Sequence, residues 1–414
     1  MIKKCFLIVV GLFSSGYICA APISEECKGF LGLASQYSFE DEDISKEKDL
    51  IDLEINNQFS GEPLSVILKD PQGQKELINI FATQSNEPTR EYISRITKPY
   101  YVTTFIWEND AYGNWSRVDE KYTNGMKWSW LYNPCRHEGN IQKDFLRNAI
   151  ELFSSKQSLE FYSGISFGMN MYTPNNIDVA YRQTNDRPYA GWAYFGLVAN
   201  AIKRNNTLVD SIHTLELQIG VIGPWSAQGA IQKWWHDDVG MSSHSPSGWQ
   251  YQIPNRLGVN ALYSYRKNYY IMGRNVRLTP NAGFSLSFGT VMDFINAGGL
   301  ISFGKPRDDY PTTTIQPSIL NVTSKNDGYY YGFAGFDFRY IFYSRFIAGD
   351  GDARHDITLK HNVADYILGF AWKPNKWKTK LSYMLIYRTQ EFNSYDSSLR
   401  GAHKIGQISF VKQF

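Results

Sequence analysis

Several long stretches of this chain alternate between apolar and polar residues, the pattern of a β-strand with one apolar face. LEFYSGISFGMNMY, residues 159–172, has most of its apolar side chains at odd-numbered positions. YYGFAGFDFRYIFY, residues 330–343, repeats the pattern with aromatic rings on one face and Asp337 and Arg339 on the other. A soluble β-sandwich shows the same alternation. These runs, however, reach or exceed the roughly 9–11 residues with which a strand crosses a bilayer.

Composition also favours strands that cross a membrane. Aromatic residues make up 15% of the chain, while the mean hydropathy is −0.37. After the N-terminus, no apolar run approaches the roughly 18 residues of a membrane helix. The net charge of +2 gives no electrostatic argument for binding nucleic acid. These features together are typical of a transmembrane β-barrel.

We therefore predict an all-β fold, a twelve-stranded antiparallel transmembrane β-barrel. The strands are expected near residues 100–109, 121–132, 158–171, 188–202, 210–222, 256–267, 268–286, 289–304, 329–344, 354–372, 377–391 and 402–414. The last of them ends on Phe414, with Phe410 and Ile408 on the same face. This resembles the closing strand of outer-membrane barrels, although an ordinary edge strand with an aromatic end would look similar.

The first twenty residues have the parts of a secretory signal peptide. Lys3 and Lys4 precede the apolar run CFLIVVGLF, and small Ala20 ends a cleavage motif. The charged stretch that follows has no sustained alternation. We predict a signal peptide over residues 1–20, an N-terminal periplasmic extension over 21–98 and the barrel over 99–414.

Polar motifs from three loops are expected at one end of this barrel. With an even number of strands, both chain ends lie on the periplasmic side, so the first strand runs outward and the second inward. Asn109 and Asp110 then close the first strand, and Thr123 opens the second, at the extracellular rim. The same rim receives MYTPNN at 171–176, NDRPYAGW at 185–192 and GVIGPWSAQGAIQKWWHDD at 220–238. Because loops are normally variable and solvated, this convergence indicates a functional site.

The third of these loops is predicted to contain a short helix. Residues 227–239 follow Pro224 and contain no further proline. Gln232 and His236 are four residues apart and share one face of that helix. A lone loop histidine is most often a solvated surface residue, but His236 is expected beside an acid, an amide and a hydroxyl. That combination predicts a catalytic histidine.

The residue types at the rim suit ester hydrolysis assisted by a metal ion. Carboxylate, amide and hydroxyl oxygens are ligands for a hard cation, above all Ca²⁺. A cation beside an ester carbonyl stabilises the developing negative charge, and a neutral histidine can deprotonate water. We therefore predict a metal-assisted attack by water that a histidine activates, rather than a serine nucleophile.

These motifs resemble, in order along the chain, those of the outer-membrane lipid A 3′-O-deacylase family. The likeness covers residues 100–414. The matching segments are ENDAYGNWSRVDEKYTNG (108–125), YTPNN (172–176), DRPYAGW (186–192), IGVIGPWSAQGAIQKWWH (219–236), GWQYQIPN (248–255) and RFIAGDGD (345–352).

The resemblance implies a Ca²⁺-dependent carboxylic ester hydrolase of the bacterial outer membrane, with its active site facing the extracellular side. It implies removal of a 3′-linked acyloxyacyl chain from lipid A, the membrane anchor of lipopolysaccharide. By the family's motif, His236 is the base, and Asn109, Asp110 and Thr123 complete the catalytic and calcium-binding set. One departure is Ser242, which stands where the family has an acid a few residues beyond the histidine.

Two further residues are candidates for substrate binding, and two other functions stay open. Gln232 shares a helix face with His236. Arg187 either binds a substrate phosphate or forms an ion pair at the rim with Asp186. One alternative function is an outer-membrane phospholipase that uses the same chemistry. The other is a catalytically inactive barrel that serves as a pore or adhesin. Calcium dependence separates the enzymes from the inactive barrel, and product analysis separates the two enzymes.

Overall fold

The structure, a computed structural model, describes the barrel and most of its loops. The described residues are 101–114, 121–132, 160–204, 209–239, 244–271, 276–281, 286–304, 310–321, 328–348, 355–399 and 401–414. The signal peptide and the N-terminal extension predicted for residues 1–98 lie outside these ranges, as does Ser242.

The described strands form one closed antiparallel barrel and one small separate sheet. They are β1 (Tyr101–Asn109), β2 (Lys121–Tyr132), β3 (Glu160–Thr173), β4 (Ala190–Arg204), β5 (Val209–Ile222), β6 (Arg256–Ile271), β7 (Val276–Asn281), β8 (Leu286–Gly289), β9 (Met292–Gly304), β10 (Tyr329–Ser344), β11 (Thr358–Leu359), β12 (Asn362–Lys373), β13 (Thr379–Arg388), β14 (Phe392–Asn393) and β15 (His403–Gln413). β11 and β14 pair only with each other. β7 and β8 together fill one position between β6 and β9, and β15 pairs with β1. The predicted twelve-stranded barrel is confirmed.

Alternation along the strands places apolar side chains outside the barrel and polar ones inside. On β10, Phe336 and Phe338 are 54% and 45% exposed, whereas Asp337 and Arg339 between them are each 2% exposed. A soluble sandwich would bury the aromatic face and expose the charged one. The reverse arrangement is the one that hydrocarbon surroundings require.

Two of the predicted strand boundaries are wrong. The chain does not turn at residues 267–268, because β6 continues to Ile271 and pairs there with Val276 of β7. The alternation of aromatic residues continues to the end of β6, so the sequence gives no signal of where this strand ends. The strand predicted to begin at residue 354 begins at Asn362, because the preceding β11 belongs to the two-stranded sheet with β14.

Both ends of the described barrel lie on one side. The Phe414 N–H donates to the Tyr101 carbonyl over 3.0 Å. We call the opposite side, where β1 ends at Asn109, the rim end. Its loops carry α1 (Asp110–Asn114), α2 (Gln228–Lys233), a π-helical turn (Trp234–Asp238), α3 (Arg345–Ala348) and short 3-10 turns at Gly223–Ser226, Trp249–Tyr251 and Ser397–Leu399. Among the described helices, none has the length and hydrophobicity needed to cross a membrane.

Residues 310–321, between β9 and β10, lie inside the barrel; we call them the inner segment. The Gln316 carbonyl accepts a hydrogen bond from Lys127 Nζ over 2.7 Å, and the Ser318 N–H donates to Glu216 Oε2 over 2.6 Å. Thr314 near its tip is buried. No pattern in the sequence predicts this segment. It enters the barrel from the end opposite the rim and reaches Glu108 near the rim end of β1.

Buried charges in the barrel interior are paired across strands. Lys127 on β2 lies 2.9 Å from Glu216 on β5. Asp365 on β12 bridges two arginines, with Arg339 Nη2 at 2.8 Å and Arg388 Nε at 2.9 Å. An unpaired buried charge costs far more free energy than a paired one. These ion pairs therefore fix which polar side chains meet inside the barrel.

Candidate functional site

The ends of β1 and β2 hold three of the predicted site residues close together. Asn109, the last residue of β1, pairs with Asn124 of β2. Asp110 follows as the first residue of α1, and Thr123 immediately precedes Asn124 in β2. The Oδ1 atoms of Asn109 and Asp110 both accept the Ala111 N–H, each over 2.9 Å. These two oxygens therefore lie beside each other at the rim end.

A β-bulge places Thr123 in this group. The pairing of β2 with β3 slips between Tyr122 and Asn124, so Thr123 is the extra residue. Neighbours in a regular strand face opposite sides, yet Tyr122 and Thr123 are both buried. Thr123 Oγ1 lies 2.7 Å from Thr173 Oγ1 at the end of β3. The bulge thus buries the Thr123 side chain next to the residue that pairs with Asn109, and Thr173 orients its hydroxyl.

Glu108 ties both strand ends to the inner segment. Its Oε2 atom accepts the Tyr122 hydroxyl over 2.6 Å and the Thr314 hydroxyl over 2.7 Å, and its Oε1 atom accepts the Thr314 N–H over 2.9 Å. Glu108 adjoins Asn109, and Tyr122 adjoins Thr123, so this network supports both sides of the group. Local sequence carries no sign of the role, because Thr314 is 206 residues away.

The helical loop between β5 and β6 lies against β1. The Trp235 ring packs edge-on to that of Trp107, with centroids 6.0 Å apart. Trp107 lies two residues before the end of β1. This contact places the π-helical turn that contains His236 against the end of β1. The short helix predicted for residues 227–239 is confirmed as α2 and the turn that follows it.

His236 is held by a backbone carbonyl. It is buried, and its Nδ1 lies 2.6 Å from the main-chain oxygen of His244. Because a carbonyl only accepts, Nδ1 carries the hydrogen, and the neutral ring has its lone pair on Nε2. Gln232 is also buried, and its Oε1 accepts Trp249 Nε1 over 2.6 Å. Both residues lie on the buried side of the loop, as their spacing predicted.

Arg187 forms an ion pair at the rim end, but its partner is not Asp186. Arg187 is buried, with Nη1 3.3 Å from Glu391 Oε2 and its guanidinium carbon 4.5 Å from the centre of the Tyr172 ring. Asp186 instead accepts the backbone N–H groups of Asn175 and Arg187, each over 2.7 Å. Burial raises the pKa of the Asp186 carboxyl, although these two donors oppose the shift. A contact between Arg187 and a substrate phosphate stays a prediction.

One serine matches the spacing of a nucleophile elbow without its geometry. Gly164–Gly168 reads G-x-S-x-G, which in α/β-hydrolases places serine on a sharp turn from strand to helix. Here the whole motif lies within β3. Ser166 is buried, and its hydroxyl donates to Glu216 Oε1 over 2.8 Å. Ser166 therefore has a structural role in the barrel interior.

The chemistry of the group at the strand ends fits a hard cation. Asn109, Asp110 and Thr123 present amide, carboxylate and hydroxyl oxygens, the donors that Ca²⁺ prefers. Asp110 is the one charged member of the three. Within the part of the chain that the structure describes, no cluster of three or more His, Cys, Asp or Glu side chains is placed to hold a metal ion.

Comparison with known proteins decides the family. A family model described as outer membrane protein LpxR matches residues 77–414. The chain belongs to the LpxR family. The family inferred from the motifs is thus confirmed, and the lipid-facing strands agree with an outer-membrane location. A search of curated proteins finds no match.

The barrel fold is shared with a solved LpxR structure, and further solved structures match at lower scores. LpxR from Salmonella typhimurium matches with a TM-score of 0.58 and 16% identity, over 75% of this chain and 99% of that one. The β-domain of the Bordetella autotransporter BrkA matches at a TM-score of 0.34 and 9% identity, over 76% and 98% of the two chains. The translocator domain of NalP from Neisseria meningitidis gives 0.32 and 8%, over 76% and 88%. The likeness to LpxR concerns the barrel fold.

Proposed function

We propose that this LpxR-family barrel is a lipid A deacylase, an ester hydrolase that removes a 3′-linked acyloxyacyl chain with water activated by His236. The observation that carries the proposal is the contact between Trp235 and Trp107, which anchors the histidine's turn at the strand ends that hold Asn109, Asp110 and Thr123. A base and a set of oxygen ligands are the parts that this reaction needs.

His236 has the tautomer that general-base chemistry requires. Nε2 accepts a proton from water as the water oxygen attacks the ester carbonyl carbon. The bond from that carbon to the sugar oxygen then breaks, and the proton on Nε2 passes to the leaving oxygen. The products are an acyloxyacyl carboxylic acid and a sugar hydroxyl. The hydrogen bond that Nδ1–H donates to the His244 carbonyl keeps the ring oriented in both steps and stabilises the charged form of the ring.

Asn109, Asp110 and Thr123 would hold Ca²⁺. When bound, the ion supplies a positive charge that stabilises negative charge on the ester carbonyl oxygen. The protein's own contribution is to arrange the ligands beforehand. The shared Ala111 N–H holds two of them, and the Thr123–Thr173 hydrogen bond holds the third.

The surroundings of the site support a lipid substrate. Trp225 and Trp234 are both more than half exposed on the loop that carries His236. Tryptophan is enriched where a membrane protein meets the headgroup region. With the rim end facing outward, the site lies at headgroup depth, where lipid A in the outer leaflet presents its ester bonds. The acyl chains can then remain against the apolar outer wall.

Mass spectrometry of the products tests the substrate. Purified protein in detergent is incubated with Ca²⁺ and either lipid A or a glycerophospholipid. We expect lipid A to lose the mass of one 3′-linked acyloxyacyl chain while the glycerophospholipid stays intact. Release of fatty acid from the glycerophospholipid alone would establish the phospholipase alternative instead.

Loss of a calcium ligand should be partly reversible. Asn109→Ala or Asp110→Ala is expected to raise the Ca²⁺ concentration that gives half-maximal activity, because each removes one oxygen donor. Excess Ca²⁺ should restore part of the rate in both variants. Turnover is followed across a calcium titration in chelator-buffered detergent, with exposed Asn393→Ala as the control. Full turnover of the native protein in chelator would contradict a calcium requirement.

The filled interior favours an enzyme over a pore. The inner segment occupies the lumen, with the Gln316 carbonyl bound to Lys127 and the Ser318 N–H bound to Glu216. Leu320 N–H also donates to Asn200 Oδ1 over 3.1 Å. Contacts from several strands therefore hold the segment in place along the path that a solute would take.

A further inference from the structure

The loop between β3 and β4 forms hydrogen bonds with His244, the residue whose carbonyl accepts a hydrogen bond from His236. His244 Nδ1 lies 2.5 Å from Asp178 Oδ2, and the Ser245 N–H donates to Asp178 Oδ1 over 3.2 Å. One carboxylate thus binds two consecutive residues, one through a side chain and one through the backbone. The Asp178 N–H donates to Asn176 Oδ1 over 3.1 Å, which fixes the carboxylate's own position.

Other hydrogen bonds place the same stretch in register. The Ser247 N–H donates to the Ile177 carbonyl over 2.8 Å, beside the Asp178 contacts. Ser245 Oγ donates to Asp237 Oδ1 over 3.1 Å, which ties the stretch back to the turn that contains His236. The His244 carbonyl is therefore held from two directions, by the β3–β4 loop and by the π-helical turn.

We infer that Asp178 is a positioning residue for the general base, which it orients through the main-chain carbonyl of His244. The inference rests on the proposed role of His236. His244 lies eight residues beyond His236, so chain connectivity alone does not fix the distance between them. Asp178 supplies a constraint that acts directly on His244, through its side chain. It is 47% exposed and His244 is 43% exposed, so the pair is not part of the packed core.

Loss of this constraint should act on the chemical step. Without a fixed carbonyl, the His236 ring samples other orientations and the tautomer with its hydrogen on Nε2. That tautomer cannot take a proton from water at Nε2. Partners that orient a metal-ligating histidine typically contribute about 10–100-fold in metal affinity or activity, and we expect the same range for an oriented base. The contacts of Asp178 are with loop residues 176 and 244–245, so substrate binding should not depend on it.

Three variants test the inference in the full-length protein. Asp178→Ala should lower kcat by about 10–100-fold and leave KM nearly unchanged. Asp178→Asn should lose less, because its side-chain oxygen still accepts the Ser245 N–H. Asp356→Ala is the matched control: this aspartate is exposed, and its hydrogen bond to the Thr184 carbonyl uses only the backbone. It should turn over like the native protein.

A double-mutant cycle separates positioning from a general structural effect. In a His236→Asn background, Asp178→Ala should cause no further loss, because the residue that it positions is gone. Nitrogen NMR of histidine-labelled protein in detergent gives a readout independent of activity. The His236 signal, assigned by its absence in His236→Asn, should report hydrogen on Nδ1 in the native protein and a tautomer mixture in Asp178→Ala.

The outcomes distinguish the inference from the function on which it rests. If His236→Asn is inactive while Asp178→Ala keeps native kcat and the native tautomer, the positioning role is overturned and the proposed function stands. If His236→Asn turns over normally, both are overturned. Additive losses in the cycle, or a matching loss in Asp356→Ala, would also overturn the positioning role.

Discussion

Replacing His236 by Asn is expected to lower the rate of lipid A deacylation by about 10²–10⁴-fold, the usual contribution of a general base. Asn keeps a side-chain N–H that can donate to the His244 carbonyl, so the loop retains its anchor. What it removes is the lone pair on Nε2. The rate is measured with purified lipid A in detergent at saturating Ca²⁺. Native turnover in this variant would show that the base is elsewhere.

Calcium and pH distinguish this loss from the loss of a metal ligand. Excess Ca²⁺ should not restore His236→Asn, because a cation cannot accept a proton, whereas it should partly restore Asn109→Ala. A base must be neutral to act. Activity of the native protein should therefore rise with pH until the base is fully neutral. A flat pH profile would count against His236.

Much of the barrel and part of the site follow from the sequence because both depend on strand periodicity. Alternation over whole strands such as β10 identifies the lipid-facing side, and the strand count assigns each loop to an end. For this reason the sequence predicts Asn109 and Thr123 at the same end. Asn109 pairs with Asn124, the residue that follows Thr123, and this agrees with the prediction. The sequence predicts His236 as a catalytic residue because it is expected beside an acid, an amide and a hydroxyl. The short helix on which it was placed is retained in the structure.

Long-range and irregular features could not be predicted in this way. The inner segment has no periodicity, and its contacts come from strands far away in sequence, as between Thr314 and Glu108. The bulge at Thr123 depends on how β2 pairs with β3, which local residues do not reveal. The carbonyl of His244 is a backbone group, so no side-chain motif marks it as a partner of His236.

Replacing Lys127 by Met is expected to destabilise the folded barrel by about 3–5 kcal/mol, because it leaves the Glu216 carboxylate buried without its counter-charge. Both side chains are almost fully buried, and Nζ lies 2.9 Å from Oε2. Met removes the charge and keeps most of the volume. The free energy of unfolding is measured by urea titration in detergent or vesicles under reversible conditions. The exposed Lys378→Met serves as a control, with an expected change of less than about 0.5 kcal/mol.

Neutralising the partner should recover much of that loss. Glu216 also accepts hydrogen bonds from Ser166, Gln218 and the Ser318 N–H. Gln at this position keeps an acceptor oxygen for such donors but carries no charge. The double variant Lys127→Met/Glu216→Gln should therefore be more stable than Lys127→Met alone, since no unpaired charge stays buried. If the double variant is instead less stable by the sum of the two single losses, then hydrogen bonding, and not charge pairing, holds this part of the lumen around the inner segment.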